Sequence, residues 1–523
     1  MQNNQEGPGL RPVIERKTAT PTPKRAPHGV QPSCKGWKQE AALRLLMNTC
    51  DADVSGQSAP GPGVHSILAV LPSVASDQTL VAQRGKPPEV FQTDEASPRV
   101  VILNGNPAAD SYPPEDSHGP GQWGRFWFGA SASESWTSAG AQSALCAAFM
   151  TLTSAAQKHF GSDLAGKFVV SGGMGAFGGV LPLAATMNGA AFLGIEVDET
   201  KILGRIRAGY CDICVNDLDE ALRILKVAIR QKQPVSVGLV GNCAEVLPEM
   251  AQRGIVPDLL TDLTGANDPL KGYYPAGMSP QQATALREAD PQEYLKRARD
   301  SMTRHVAGLL DLQTLGAALF EFGNGIFAAV REHGLTQAPI IPDFCTAYLS
   351  PAVQADVIPI RCFALSGERN DIFKMDDLLA EFAPQNEVLA RWLRMAKKHV
   401  RFQGLPARVA WFAPDERGVF VDRVNDLVAR GELKAPVVLC RDSSKGVQFP
   451  LPAFEGRWGM GDAALARPLL DASRESAAGA AWVSFELDRD QACLTTQAVV
   501  ADGTPEAAKA LSCIFGPIGN VSR

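Results

Sequence analysis

The chain has 523 residues, 45% of them hydrophobic and 20% charged, with a formal net charge of -6. That is the balance of an ordinary globular protein with room for roughly two to four domains. It excludes the basic footprint of a nucleic-acid or anionic-membrane binder, and no apolar run approaches the ~18 residues a membrane span requires.

Residues 1–32 are rich in Pro, Gly, Asn and Gln and lack an apolar h-region, so a disordered lead is expected rather than a secretory signal. Eleven cysteines without a dense spacing pattern point to reduced thiols in a cytoplasmic protein. The one CxxC, Cys211-Asp212-Ile213-Cys214, lacks further ligands nearby, His159 and His305 being distant in sequence; packed thiols are expected there, not a metal site.

Between residues 33 and 136 the spacing predicts a helix over Gln39–Asn48, a buried strand over Pro98–Asn104, and loop from Pro107 to Gly124. Between 137 and 351, strand and helix alternate. Lys167–Val170, Ala190–Ile195 and Pro234–Val240 read as strands, Leu181–Asn188 and Asp217–Lys232 as helices, the order of a parallel, doubly wound sheet. Residues 352–523 predict helices at Asp376–Phe382, Glu387–His399 and Ala507–Cys513, with strands at Ala407–Trp411, Ala435–Cys440 and Gly479–Phe485.

Gly173-Met174-Gly175-Ala176-Phe177-Gly178 is a GxGxxG between a predicted strand and a predicted helix. The following strand ends at Glu196, close to the ~20-residue offset at which a dinucleotide site places its ribose-binding acid. Glycines let backbone approach a pyrophosphate, and helix N–H groups receive it. The competing reading is a tight strand-to-helix turn that packs closely and binds nothing, with which the flanking Gly172 and Gly179 are compatible.

Phe402-Gln403-Gly404-Leu405-Pro406-Ala407-Arg408-Val409-Ala410-Trp411 resembles the signature of the urocanase (urocanate hydratase) family. Ser33-Cys34-Lys35-Gly36-Trp37, Gly85-Lys86-Pro87, Pro182–Met187, Glu196–Glu199, Val237–Asn242, Asp268-Pro269-Leu270, Ala364–Gly367 and Ala501–Glu506 extend the resemblance over nearly the whole chain. It implies an α/β fold, a central Rossmann-like doubly wound parallel sheet domain (137–351) flanked by mixed α/β N-terminal (33–136) and C-terminal (352–523) regions. It also implies a homodimer and a hydro-lyase that adds water to urocanate or a substituted imidazole acrylate. Tightly bound NAD would act as an electrophile rather than a hydride carrier. Carried over by position, Gly173, Gly175, Ala176, Phe177, Gly178, Glu196, Asn242, Cys243, Thr264 and Tyr273 would bind the cofactor. Arg361 would pin the propenoate carboxylate, and Asp442 would serve as acid or base.

The chain departs from that pattern at the sites expected to meet cofactor and substrate. The family's Gly-Met-Gly becomes Ala176-Phe177-Gly178, and its signature cysteine becomes Ala410. A glutamine and a histidine become Leu263 and Asn267, a tyrosine becomes Phe322, and the histidine after Arg441-Asp442 becomes Ser443. Asp51–Pro60 lacks the expected tyrosine, Ala130–Trp136 the expected glutamine, and Phe485–Ala492 the glycine-rich turn. Three readings stay open: a urocanase-type hydratase, a diverged paralogue that binds a ligand, regulates or takes another substrate, and, last, a conventional NAD dehydrogenase.

Overall fold

The structure is a computed structural model and describes residues 26–51, 54, 62–83, 86–103, 137–332, 341–382, 386–442, 472–487 and 493–516. The expected loop at Pro107–Gly124 lies outside them, as do the departures at Ala130–Trp136 and Ser443 and most of Asp51–Pro60. The packed chain begins before Ser33. Ala26 is buried, Gly29 donates to the Ser366 carbonyl, and Arg44 reaches the carbonyls of Gly29 and Gln31 at 2.9 and 3.0 Å. A buried arginine holds a segment whose composition alone predicts disorder.

Fourteen strands form two sheets among the described residues. Six make an all-parallel sheet in the order β6-β7-β5-β4-β8-β9. These are β4 (Phe168–Gly172), β5 (Ala191–Glu196), β6 (Ile213–Val215), β7 (Val235–Val240), β8 (Leu259–Asp262) and β9 (Ala318–Leu319). Every residue of β4, β5 and β8 is buried, as expected where helices cover both faces of a parallel sheet. The chain runs outward from β4 through β5 to β6 at the edge, steps back to β7 between β5 and β6, then returns to lay β8 on the other side of β4. The strand order therefore reverses at β4, where open α/β sheets place ligands.

The helices here start and stop on local chemistry. The helix Leu218–Gln231 is capped by Asp217, which accepts from Glu220 N–H at 2.8 Å, and ends on Lys232 in the left-handed region. The helix Cys243–Gln252 is capped by Asn242, which accepts from Ala244 N–H at 2.9 Å. The long helix Pro291–Thr314 packs on it through Gly308, where an added Cβ would lie 2.8 Å from Pro248 Cδ and 3.0 Å from Leu247 Cβ.

The second sheet is mixed and joins the two ends of the chain, in the order β11-β10-β12-β14-β13-β3-β1-β2. It comprises β1 (Gln78–Gln83), β2 (Glu89–Gln92), β3 (Val100–Leu103), β10 (Ile358–Ala364), β11 (Ala407–Phe412), β12 (Val437–Asp442), β13 (Trp482–Leu487) and β14 (Cys493–Ala501). β3 pairs in parallel with β13, so the N-terminal and C-terminal regions share one sheet. The mixed α/β architecture with a Rossmann-like parallel sheet is the fold class the sequence leads one to expect.

The signature stretch is a joint between regions. Gln403 Oε1 accepts from Ala141 N–H at 2.8 Å, at the start of the helix Gln142–Phe160. Gly404 has φ 68°, and a Cβ there would lie 2.0 Å from Asn48 Oδ1. That oxygen accepts from Leu405 N–H at 2.6 Å, and Asn48 Nδ2 donates to Ser138 O at 3.0 Å. Gln142 Oε1 accepts from Val409 N–H and its amide donates to Ala407 O, both at 2.9 Å. Arg408 makes a two-pronged pair with Asp376, 2.7 Å on each arm, with both side chains buried. The cysteine-containing motif at Ser33 is also structural: Glu40 accepts from the N–H groups of Ser33 and Cys34 at 2.7 and 2.9 Å.

Candidate functional site

The glycine loop leaves β4 at the reversal of strand order. Gly173 has φ 77°, and a Cβ there would lie 2.4 Å from Leu263 O. A Cβ on Gly178 would lie 2.0 Å from Gly173 O, whereas at Gly175 it would meet nothing within 4 Å. Gly173 and Gly178 therefore serve the fold, and Gly175 faces open space. Among the described residues, the N–H groups of Gly175, Ala176 and Phe177 have no acceptor. The helix that follows is shorter than the motif implies: a 3-10 turn, Gly178–Val180, precedes only seven helical residues, Leu181–Met187. Its macrodipole adds little, so an anion here would rest on loop N–H groups.

Glu196 ends β5 as expected, but its carboxylate is already engaged. One oxygen accepts from Met174 N–H at 2.9 Å; the other accepts from Asp198 N–H at 3.1 Å and stands 3.3 Å from Lys201 Nζ. Arg205 donates to the Gly175 and Met174 carbonyls at 2.9 and 3.3 Å, closing the loop from its other side. Desolvation pulls the Arg205 guanidinium below its usual range. Asn242 Nδ2 donates to Tyr274 O at 3.0 Å, and Lys201 sits 5.5 Å over the Tyr274 ring.

Cys243, Thr264 and Tyr273 lie below the loop, around Asp262, His305 and Asn324, which no sequence motif marks. Gly172 is the register partner of Asp262, the last residue of β8. A Cβ on Gly172 would lie 2.1 Å from Asp262 Oδ1 and 2.8 Å from Cys243 Sγ, so only glycine admits that carboxylate and thiol together. Thr264 Oγ1 donates to Asp262 Oδ2 at 2.7 Å, and Asn324 Nδ2 donates to the same oxygen. His305, from the middle of the helix Pro291–Thr314, is fully buried with Nε2 3.4 Å from Asp262 Oδ1. Its Nδ1 faces Tyr273 Oη at 3.2 Å, and the two rings stack at 6.2 Å.

Burial dominates the protonation states here. It pushes the Cys243 thiol well above its usual range, reinforced by the Asp262 and Glu196 charges. It pulls His305 down, opposed by Asp262, so the imidazole is neutral at neutral pH. Glu321, near β9, is raised to about 7, chiefly by desolvation and against the attraction of Arg331. Asp262 closes a strand of only four residues, Leu259–Asp262, too short to mark itself in the sequence, so the acid carries no clear signal. His305 and Asn324 had none, because their elements meet only in three dimensions.

The remaining expected residues occupy the mixed sheet. Arg361 is buried on β10 and donates to Thr137 Oγ1 at 2.8 Å. Its register partners are Val409 and Cys440, whereas Ala410 and Arg441 pair with Ile360. Side chains alternate along a strand, so Ala410 and Arg361 face opposite sides of the sheet. Asp442 ends β12 opposite Thr496; its side chain lies outside the described residues. Of the departures, Phe322 is buried among Phe320 and Phe344, ring centroids 5.1 and 5.0 Å away. Cys211 and Cys214 pack beside β7, with Cys211 Sγ 3.8 Å from Ser236 O, and burial raises both thiols.

Family models match the chain in three consecutive blocks: the urocanase N-terminal domain over residues 62–137, the urocanase Rossmann-like domain over 140–348, and the urocanase C-terminal domain over 352–517. The chain belongs to the urocanase family. The urocanase Rossmann-like block contains both the glycine loop and the Cys243–Asp262–His305 group. The urocanase C-terminal block contains Arg361, the signature stretch and Asp442. No described helix is long and apolar enough to cross a membrane.

Proposed function

We propose that the protein is a urocanase-type hydro-lyase that adds water to urocanate or a related imidazole acrylate, with NAD held at the carboxyl ends of β4, β5 and β7. The observation that carries this reading is the glycine loop at the strand-order reversal, with three successive N–H groups lacking an acceptor among the described residues. Three such groups beside an open Gly175 suit a pyrophosphate. Bound NAD supplies an electrophilic ring; the chain's task is to hold it and orient the substrate. Gly175, Ala176 and Phe177 receive the phosphates, while Glu196 and Asn242 flank the ribose. Lys201 partly neutralises Glu196, so a ribose hydroxyl would share that carboxylate with the Met174 N–H. Arg361 holds the substrate carboxylate, Asp442 exchanges a proton with the imidazole, and a homodimer in the cytoplasm completes the reading.

A second reading, a diverged urocanase relative without hydratase activity, is favoured by the engaged Glu196, by Phe322 in its aromatic cluster, and by Ala410 facing away from Arg361. Cofactor content separates the two. The purified full chain is denatured and its supernatant assayed for NAD by mass spectrometry, then urocanate consumption is followed spectrophotometrically. Stoichiometric NAD with urocanate turnover supports the hydratase. Absence of NAD, with none taken up on incubation, excludes it and leaves the second reading.

A further inference from the structure

The three side chains gathered around Gly172 differ in kind: a thiol, a carboxylate and an imidazole, all buried, with donor atoms within 4.8 Å of one another. Among the described residues, Asp262 Oδ1 and His305 Nε2 face each other at 3.4 Å and have no hydrogen-bond partner. Buried polar atoms in that state ask for an explanation. The outer atoms of the same two side chains are tied down. Asp262 Oδ2 accepts from Thr264 and Asn324, and His305 Nδ1 meets Tyr273 Oη. Both groups are thus oriented from behind with their inner atoms left open, the arrangement that outer partners impose on metal ligands.

We propose that Cys243, Asp262 and His305 form a binding site for a zinc-like divalent transition ion beneath the glycine loop. Sulfur, nitrogen and oxygen donors together suit zinc or cobalt and disfavour magnesium and calcium, which take oxygen alone. Donors bound to zinc at tetrahedral corners stand about 3.3–3.6 Å apart. The Asp262–His305 separation of 3.4 Å already matches, and the thiol must shift by roughly 1 Å at most. Charge favours the ion too: a thiolate and a carboxylate beside a neutral imidazole carry two negative charges, which a divalent cation cancels in a region that water does not reach.

Uptake replaces the thiol proton by the metal and releases it to solvent, so affinity rises about tenfold per pH unit while the thiol is protonated. Because all three ligands are buried, the ion enters as the chain folds or through opening of the loop. The site stands independently of the dinucleotide reading, since metal and NAD are assayed separately.

The test uses the full chain refolded from denaturant under reducing conditions with zinc or cobalt, then dialysed. The expected result is about one equivalent of retained metal, and for cobalt a thiolate-to-metal charge-transfer band. Cys243→Ser should lose the band, His305→Gln should lower retention at least tenfold, and Cys211→Ser/Cys214→Ser should keep both. Should the first two variants fail to fold, the band in the double-serine protein still reports the site. Absence of metal and band in the refolded wild-type chain overturns the proposal. So does a band that persists in folded Cys243→Ser or disappears in the double-serine control.

Discussion

The joint around the signature stretch and the group around Gly172 are both buried and polar, yet they are built to opposite rules. At the joint every arm is answered: Gln403 by Ala141, Asn48 by Leu405 and Ser138, Gln142 by Ala407 and Val409, Arg408 by Asp376. Among the described residues, Asp262 Oδ1 and His305 Nε2 beside Gly172 are left without hydrogen bonds, as is Glu321 Oε1 near β9. A satisfied buried network fixes geometry, whereas an unsatisfied one holds polarity in reserve for something else. The most recognisable ten residues of this chain therefore report how it is assembled, and say less about what it does.

The comparison breaks hardest at Arg408–Asp376. Removing one member of a buried, two-pronged pair strands the other charge and costs about 3–5 kcal/mol. Asp376→Ala should therefore lower the urea midpoint severely or leave the chain insoluble, whereas Arg408→Met with Asp376→Leu should recover much of the loss. If Asp376→Ala unfolds like the parent, the joint is not the fold's anchor. Gly404→Ala comes next. It forces a Cβ onto Asn48 Oδ1 at positive φ and disturbs the Leu405 bond. Strain of ~1–3 kcal/mol plus a hydrogen bond of ~1 predicts a loss of about 2–4 kcal/mol by denaturant titration.

These effects explain what could be read from the sequence. Elements with their own start and stop chemistry were placed closely. The expected Asp217–Lys232 became Leu218–Gln231 between those two caps, and Glu387–His399 was met residue for residue. The expected Asp376–Phe382 begins seven residues early, at Arg369: Ile372 and Met375 are buried and carry the apolar face back from Leu379 at helical spacing, between polar residues that mask it. β8 is four residues long and without alternation, so nothing in the sequence marks it, and Asp262 is hidden with it. The parallel sheet was legible from strand–helix alternation. The pairing of β3 with β13 was not, because nothing local marks a contact between strands so far apart in sequence.

The reserved polarity has its own pH signature. In protein stripped of divalent ions, Glu321 holds its proton up to about pH 7, whereas an unperturbed glutamate releases it near 4.5. Below about pH 4.5 both states are protonated and the raised pKa gives its full benefit. As pH climbs towards 7 the unfolded chain ionises first, so stability falls; above 7 the loss levels off. A shift of this size corresponds to roughly 2–3 kcal/mol once relaxation is allowed for. Glu321→Gln should therefore gain on the parent protein between pH 5 and pH 8, read as the difference in urea midpoints. A constant difference across that range would mean Glu321 is not desolvated.

The smallest stability effect should accompany the clearest functional one, at Glu196. Its carboxylate is a hinge between the two kinds of region: it satisfies the Met174 and Asp198 N–H groups as a structural acid, and it faces the loop where a ribose would rest. Glu196→Gln keeps the shape and one carbonyl acceptor, on Met174, and gives up the Asp198 bond and the Lys201 ion pair. Lys201 is more than a third exposed, so solvent screening holds the ion pair below ~1 kcal/mol, and the part-buried Asp198 bond adds about 1 kcal/mol. Binding is another matter. A carboxylate accepts from a ribose hydroxyl, and an amide that keeps its oxygen on Met174 turns an N–H₂ donor outward instead. NAD retained through dialysis should fall at least tenfold while stability by urea titration falls by no more than about 1–2 kcal/mol. Equal losses of both would make Glu196 a strut of the loop and nothing more, and would shift the balance towards a urocanase fold in which the glycine turn is kept for packing.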